Sequence, residues 1–425
     1  MNILVITNLF HPDRGGGASV FSDMCYGLAE RGHSVTVYGA YPYYPEWKNK
    51  SAANLWITKD ETIQGVEVRR FGMYLPSNPS SFVPRILFEL SFMFSLMRSL
   101  FYFRRFDVVM VYCPVMGAVA YSAVRKLFYR EPVWLNVQDI PADAAAASGI
   151  SKSRFTKNFG QFAQSFLFNR ANVWSTIAPK MVERLSALRR RGQPIHFVPN
   201  FLNQSMEAAV AEHPSKIGRP ASQPVKFLYA GNIGKKQGLL EFCQRLHEAD
   251  LQFQFRIHGN GGEAHAIRDW VASAGDPRFE FGEFLDERGF VGALMNADVF
   301  VITEKPGVGA SFIPSKLIPC IATATPVLCV CDAEGPLGQE VNAHGLGMVV
   351  EWSEYEQLIP RLTEVINSTE KFNSLQQNAY RRAQTYGRNP VIELVERELA
   401  ALVSGLTSSS TTSSSNEWAS APVAD

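Results

Sequence analysis

The chain has 425 residues, room for two or three ordinary domains, and its 46% hydrophobic and 19% charged residues describe a globular protein with ample core. Its 41 basic and 40 acidic side chains leave a formal net charge of +1, which excludes a global field drawing it to nucleic acid, and nothing resembles a nucleic-acid module. The 6 cysteines are dispersed and lie mostly in apolar runs, so they read as buried thiols in a reducing compartment; no Cys or His pairs stand at zinc spacing and no metal site is expected.

The first element is a strand, "NILVIT" (2–7), with no basic n-region before it, which predicts a cytoplasmic chain without a secretory signal. "HPDRGGGAS" (11–19) follows, then a helix with Val20, Met24 and Leu28 four apart, then "SVTVYGA" (34–40): a βαβ opening. Gly15, Gly16 and Gly17 let backbone N–H groups approach an anion at a helix N-terminus, although a mobile turn has the same composition. The spacing is not G-x-G-x-x-G, so a nicotinamide enzyme is disfavoured.

Residues 81–106, "SFVPRILFELSFMFSLMRSLFYFRRF", carry seven phenylalanines. Ser91, Ser95 and Ser99 fall on one face, with Ile86, Leu90, Met93, Met97 and Leu100 opposite. Arg85, Glu89 and Arg98 interrupt the run, so no charge-free span of about 20 residues remains to cross a bilayer. It reads either as a core helix or as a helix lying in a membrane interface with Arg98, Arg104 and Arg105 near anionic headgroups; the aromatic density favours the second.

Further buried strands are expected at 107–112, 133–139 and 173–178, and the rhythm stops near "HFVPN" (196–200). A polar, proline-bearing stretch, 204–224, predicts a linker after a first domain, 1–203. The rhythm restarts with "VKFLYAG", "FQFRIHG", "FEFGEF", "DVFVIT", "PVLCVC" and "LGMVVE", a second domain over 225–386. Continuous apolar strands alternating with helices mean parallel sheets covered on both faces, hence two doubly wound α/β domains with ligands at the carboxyl ends of the strands, facing a shared cleft. A last helix, 387–403, is expected to return to the first domain, and the Ser/Thr-rich tail 404–425 to be disordered.

Three turns of the second domain carry phosphate-binding chemistry. "YAGNIGKKQGL" (229–239) places Gly231, Gly234 and Gly238 around Lys235 and Lys236; "IHGNGGEAHA" (257–266) bares amides at Gly259; "PSKL" (314–317) sets Ser315 and Lys316 at a helix start. Lysines and helix N-termini converging at one edge point to a diphosphate.

These ordered motifs, with "LAERGHSVTVYGAYPYYPEW", "VQDIPADAA" and "VPNF", resemble glycosyltransferase family 4, retaining GT-B-fold enzymes, and within it the O-antigen and exopolysaccharide (N-acetylfucosamine-type) transferases. The resemblance runs to about Leu402. It implies two Rossmann-like domains and transfer from a nucleotide diphosphate sugar, a UDP-sugar favoured, to a polyprenyl-linked oligosaccharide in bacterial surface polysaccharide biosynthesis. It further implies a peripheral position on the inner face of the cytoplasmic membrane, no cofactor, and no metal, since Asp-x-Asp is absent. A nucleotide-sugar 2-epimerase and a non-catalytic nucleotide-sugar-binding relative are the alternatives.

Position by position the resemblance is uneven. The family's catalytic His-Asp pair falls on Gln138 and Asp139, and its two donor glutamates, eight apart, on Ser311 and Pro319. Its diphosphate-binding Arg and Lys fall on Asn232 and Gln237, leaving Lys236 and Lys316 to supply charge, while Glu340 fits a further donor-side position. The donor grip is therefore expected from Ser311, Ser315, Lys316 and backbone amides. Glu304 reads as a solvated charge at a strand end.

Overall fold

The computed structural model describes residues 1–13, 17–49, 51, 54–77, 81–140, 154–307 and 313–405. The chain divides into two compact units, one of residues 1–200 with the segment from Asn389, the other Phe201–Arg388.

The first unit is built on an eight-stranded sheet. Its elements are β1 (Asn2–Thr7), α1 (Ala18–Glu30), β2 (Ser34–Ala40), β3 (Thr58–Ile63), β4 (Val66–Phe71), α2 (Phe82–Met97), β5 (Val108–Cys113), α3 (Met116–Tyr129), β6 (Val133–Val137), α4 (Arg154–Phe168), β7 (Val173–Thr176), α5 (Pro179–Leu188) and β8 (Ile195–Phe197). Their order is β3-β4-β2-β1-β5-β6-β7-β8, parallel throughout except for β3. Every residue of β5 and β6 is buried, which is why these strands read as unbroken Val/Ile/Leu runs.

The edge hairpin of β3 and β4 escaped the sequence reading. "TKDETI" is polar and largely exposed, so no apolar run announces it. Its signal is the two-residue turn: Gln64 and Gly65 both have positive φ, 48° and 78°, the geometry that suits a tight hairpin. Asp60 faces Arg69 across the ladder, and the charge suits an edge that must not pair with another chain.

α2 continues into a short 3-10 turn, Arg98–Tyr102. Ser95, Ser99, Phe88, Phe92 and Leu96 face the core, and Val83, Leu87, Leu90, Phe94 and Phe101 form an exposed stripe spaced three to seven residues apart. Phe92 is thus a core residue. Two arginines are engaged within the protein: Arg98 donates to the carbonyls of Trp56 and Leu55 at 2.6 and 3.0 Å, and Arg104 pairs with Glu67 at 2.7 Å. Among the described residues no helix is long and apolar enough to cross a membrane.

The second unit has six parallel strands in the order β11-β10-β9-β12-β13-β14. Its elements after β9 (Val225–Asn232) are α7 (Leu239–His247), β10 (Phe253–Asn260), α8 (Ala264–Ala274), β11 (Phe279–Gly282), α9 (Glu287–Asn296), β12 (Val299–Thr303), α10 (Leu317–Ala322), β13 (Val327–Val330), α11 (Pro336–His344), β14 (Gly347–Val350), α12 (Leu358–Asn367) and α13 (Thr369–Ala383). Alternate residues of one strand feed two cores: Phe227 and Tyr229 pack on one face of the sheet, Leu228 and Ala230 on the other. The strand order reverses between β9 and β12, where a doubly wound sheet opens a ligand crevice.

The stretch expected as a free linker, 204–224, is packed into this unit instead. Asn203 caps α6 (Gln204–Ala211) by accepting from Met206 N–H at 2.9 Å, and Gly218 N–H donates to Gln376. The buried Lys216 ammonium donates to Leu294 and Ala297 carbonyls and to Thr325 Oγ1 at 2.7, 2.5 and 2.9 Å, closing the end of α9. Prolines made the segment read as loop; a lysine with all three donors satisfied is what folds it down.

The last helix, α14 (Arg388–Val403), joins the first unit. Its Glu396 accepts from Arg31 at 3.0 Å and from His33 Nε2 at 2.8 Å, and its Glu398 lies 3.6 Å from His196.

Candidate active site

The site is built at the carboxyl edge of the second sheet, around the β9/β12 reversal. β9 ends in Gly231 (φ 126°) and Asn232, and the turn that follows is laced to its neighbour: Ile233 N–H donates to Asn260 O at 2.8 Å, and Glu263 N–H to Ile233 O at 3.0 Å. Two glycines allow this. A Cβ on Gly259 would stand 2.2 Å from Gly231 O, and one on Gly261 2.5 Å from Ile233 O.

Gln237 closes the turn on itself, its Oε1 accepting from Gly234 N–H at 2.9 Å while its own N–H returns to Gly234 O at 3.1 Å. Gly238, in the left-handed region at φ 64°, then starts α7 with Lys305 and Trp352 packed against it. Lys235 and Lys236 are exposed, and the Lys236 carbonyl accepts from Lys305 N–H at 2.8 Å. Asn232 is exposed beside them.

Lys316, immediately before α10, lays its ammonium 4.1 Å above the ring of Tyr229. The Tyr229 hydroxyl donates to Asn232 O at 2.7 Å, so the ring is a fixed shelf at the end of β9. Burial lowers the Lys316 ammonium to about 8. Glu304 is half-buried, not the solvated charge expected of a strand end, and burial raises its carboxyl to about 7 against the pull of Lys316. Trp352 Nε1 donates to the Glu304 carbonyl at 2.7 Å. Tyr229 and Trp352 were missed in the sequence; an aromatic two residues before the glycine turn was the available signal for the first, and none marked the second.

The other expected site residues divide. Ser315 is exposed next to Lys316; Ser311, Gly15 and Gly16 lie outside the described residues. Glu340 is committed within the unit: Arg382 reaches its carboxylate at 2.7 and 3.1 Å and Tyr386 Oη donates to it at 2.9 Å, tying α11 to α13. In the first unit, Gly17 opens α1, and Gln138 and Asp139 follow β6 at the carboxyl edge of that sheet. Gln138 donates to Asn136 Oδ1 at 2.7 Å, and Asp139 Oδ1 accepts from Ile140 N–H at 2.8 Å.

Residues 15–200, the greater part of the first unit, match the family described as Glycosyl transferase 4-like domain. Over 382 residues, 86% of this chain and 92% of the relative, the chain is 27% identical to WcaI of Escherichia coli (strain K12), a glycosyl transferase named for colanic acid biosynthesis. The chain is similar to family 4 glycosyltransferases. Its two parallel-sheet units have the GT-B composition, and solved structures agree. Sucrose-phosphate synthase from Thermosynechococcus elongatus superposes with a TM-score of 0.69 over 95% of this chain and 100% of its own at 14% identity. Anabaena Alr3699/HepE in complex with UDP gives 0.66 over 94% and 100%, also at 14%. WaaG, a glycosyltransferase involved in lipopolysaccharide biosynthesis, gives 0.64 over 95% and 100% at 14%. The epimerase and binding-only alternatives find no support among these relatives.

Proposed function

We propose that this family 4 glycosyltransferase moves a sugar from a nucleotide diphosphate sugar, a UDP-sugar by preference, to a polyprenyl-linked oligosaccharide during bacterial surface polysaccharide biosynthesis. The observation that carries the donor reading is Lys316 held over Tyr229, whose hydroxyl anchors the glycine turn after β9, at the β9/β12 reversal. The Alr3699/HepE structure with UDP and the names of WcaI and WaaG support the donor and pathway classes.

The reaction proceeds with retention and without a metal in this reading. The acceptor hydroxyl attacks the anomeric carbon from the face the diphosphate leaves; the bond from that carbon to the phosphate oxygen breaks, and a phosphate oxygen takes the hydroxyl proton. The protein orients two substrates and stabilises charge on the departing diphosphate through Lys316, Lys236 and backbone amides. The absence of Asp-x-Asp motivates the metal-free form.

A lipid-linked acceptor requires the enzyme to meet a membrane, and the exposed stripe on α2 with Phe101 and Phe103, 75% and 80% exposed, supports a peripheral seat on the inner face of the cytoplasmic membrane. The loop after β2, at the carboxyl edge of the first sheet, packs on the same helix: Trp47 lies 5.5 Å and Tyr43 6.0 Å from Phe88, centroid to centroid.

The test incubates purified protein with a panel of nucleotide sugars and bacterial lipid extract and follows label into lipid-linked saccharide. Transfer with an unchanged anomeric configuration, tolerant of EDTA, is expected. Epimerised donor without transfer, an inverted linkage, or activity lost to EDTA and restored by manganese would each overturn the corresponding part.

A further inference from the structure

Where the resemblance to family 4 would place two donor glutamates, this chain has Ser311 and Pro319. One carboxylate nevertheless stands at the β9/β12 reversal. Glu304 is the first residue after β12, and its backbone is fixed on both sides. Its N–H donates to Val330 O at 2.9 Å, its carbonyl accepts from Trp352 Nε1 at 2.7 Å, and the next N–H, of Lys305, donates to Lys236 O at 2.8 Å. It is therefore carried by two strand ends and the donor turn, not by a free loop.

The Glu304 side chain is half-buried, and among the described residues its carboxylate has no hydrogen-bond or ion-pair partner. Asp332, after the neighbouring strand β13, has one: it accepts from Gly307 N–H at 2.8 Å. Lys316 acts on Glu304 electrostatically while resting on the Tyr229 ring, without closing an ion pair with it. Both charges are partly desolvated and, among the described residues, neither is spent on an ion pair, so both remain available to a ligand. A carboxylate offers two acceptor oxygens and no donor, which suits adjacent hydroxyls; the ammonium suits a phosphate.

We propose that Glu304 is the donor-recognition carboxylate of this enzyme: it accepts hydrogen bonds from hydroxyls of the transferred sugar while Lys316 holds the diphosphate next to it. Glu304 thereby takes over, from a different strand-end position, the role left vacant at Ser311 and Pro319, and it selects among sugars by the hydroxyls they present. This rests on the nucleotide-sugar reading of the site.

The test measures calorimetric affinity of the full-length protein, Glu304→Gln and Glu304→Ala for UDP and for a UDP-sugar that supports transfer. UDP affinity is expected to stay within about twofold in both variants, while UDP-sugar affinity falls about tenfold or more in Glu304→Ala. The near-isosteric Glu304→Gln, which keeps the fold, is expected to bind the UDP-sugar more weakly and to reorder preference across a panel differing in single hydroxyls. Unchanged UDP-sugar affinity and kcat/KM would overturn the assignment, as would equal weakening of UDP and UDP-sugar, which places the contact on the nucleotide. A wild-type protein that binds neither UDP nor any UDP-sugar would instead overturn the donor reading itself.

Discussion

Glu304 and Lys316 carry opposite charges on one strand edge, and burial moves their titrations toward each other, to about 7 and about 8. The groups acting on Glu304 are Lys316, which favours its ionised form, and Asp332, which opposes it; Glu304 in turn favours the charged ammonium, while the buried thiols of Cys320 and Cys329 stay neutral in this range. Glu304 gains its charge as pH rises through about 7 and Lys316 loses its charge as pH rises through about 8, so both are ionised together only in a narrow window. Donor kcat/KM is therefore expected to be bell-shaped, with Glu304→Gln losing the acid limb and Lys316→Met the alkaline one. Rates from about pH 5.5 to about 9.5 check this, and a wild-type profile flat through that range would contradict it. A charge-assisted phosphate contact contributes about 1.5–3 kcal/mol, so Lys316→Ala should weaken UDP binding about tenfold or more, read by calorimetry. Lys316 could be named from "PSKL"; Tyr229 beneath it and the half-burial of Glu304 could not, because both arise from strands β9 and β12 becoming neighbours across some seventy residues of chain.

The helix α2 shows the same division one level up. Its phenylalanines are plain in the sequence, but which of them the core claims depends on the face α3 and β4 cover. Phe92 is fully buried and Phe94 is 62% exposed, two residues apart on opposite sides. Replacing Phe94 and Phe101 with serine should release the protein from anionic vesicles while leaving its melting temperature and UDP affinity unchanged, since inserting each ring contributes about 1.5–3 kcal/mol. Phe92→Ala should act oppositely, costing about 3–5 kcal/mol of stability in the first unit without touching the exposed stripe. Vesicle co-sedimentation and thermal melts, run on the same samples, separate the two; sedimentation of the Phe94/Phe101 variant equal to wild type would remove the interfacial seat. The apolar strands β1, β5, β9 and β12 were legible because a parallel sheet buried on both faces leaves unbroken Val/Ile/Leu/Phe runs. The polar hairpin of β3 and β4 and the packing of 204–224 were not, since the first hides its burial pattern and the second is folded down by Lys216 rather than by apolar periodicity.

At the scale of the whole molecule, the first unit is discontinuous in sequence. α14 returns to it through Glu396 with Arg31 and His33, and through Glu398 with His196, while 201–388 form a unit of their own. A chain cut after Gly387 is expected to keep a UDP-binding second unit and to lose stability in the first, seen as a low-temperature transition split from the main melt; a single unshifted transition would argue that α14 contributes little. The discontinuity also has a consequence in time. Synthesis runs from the N-terminus, and domains generally fold as they emerge. The second unit can close its six-stranded sheet while α14 is still unmade, whereas the first unit must wait, with the surface reserved for α14 uncovered, until Val403 has been added. The unit of residues 201–388 is thus ready before the unit that α14 completes, and a ribosome that stalls before α14 would leave a finished second unit attached to an unfinished first one.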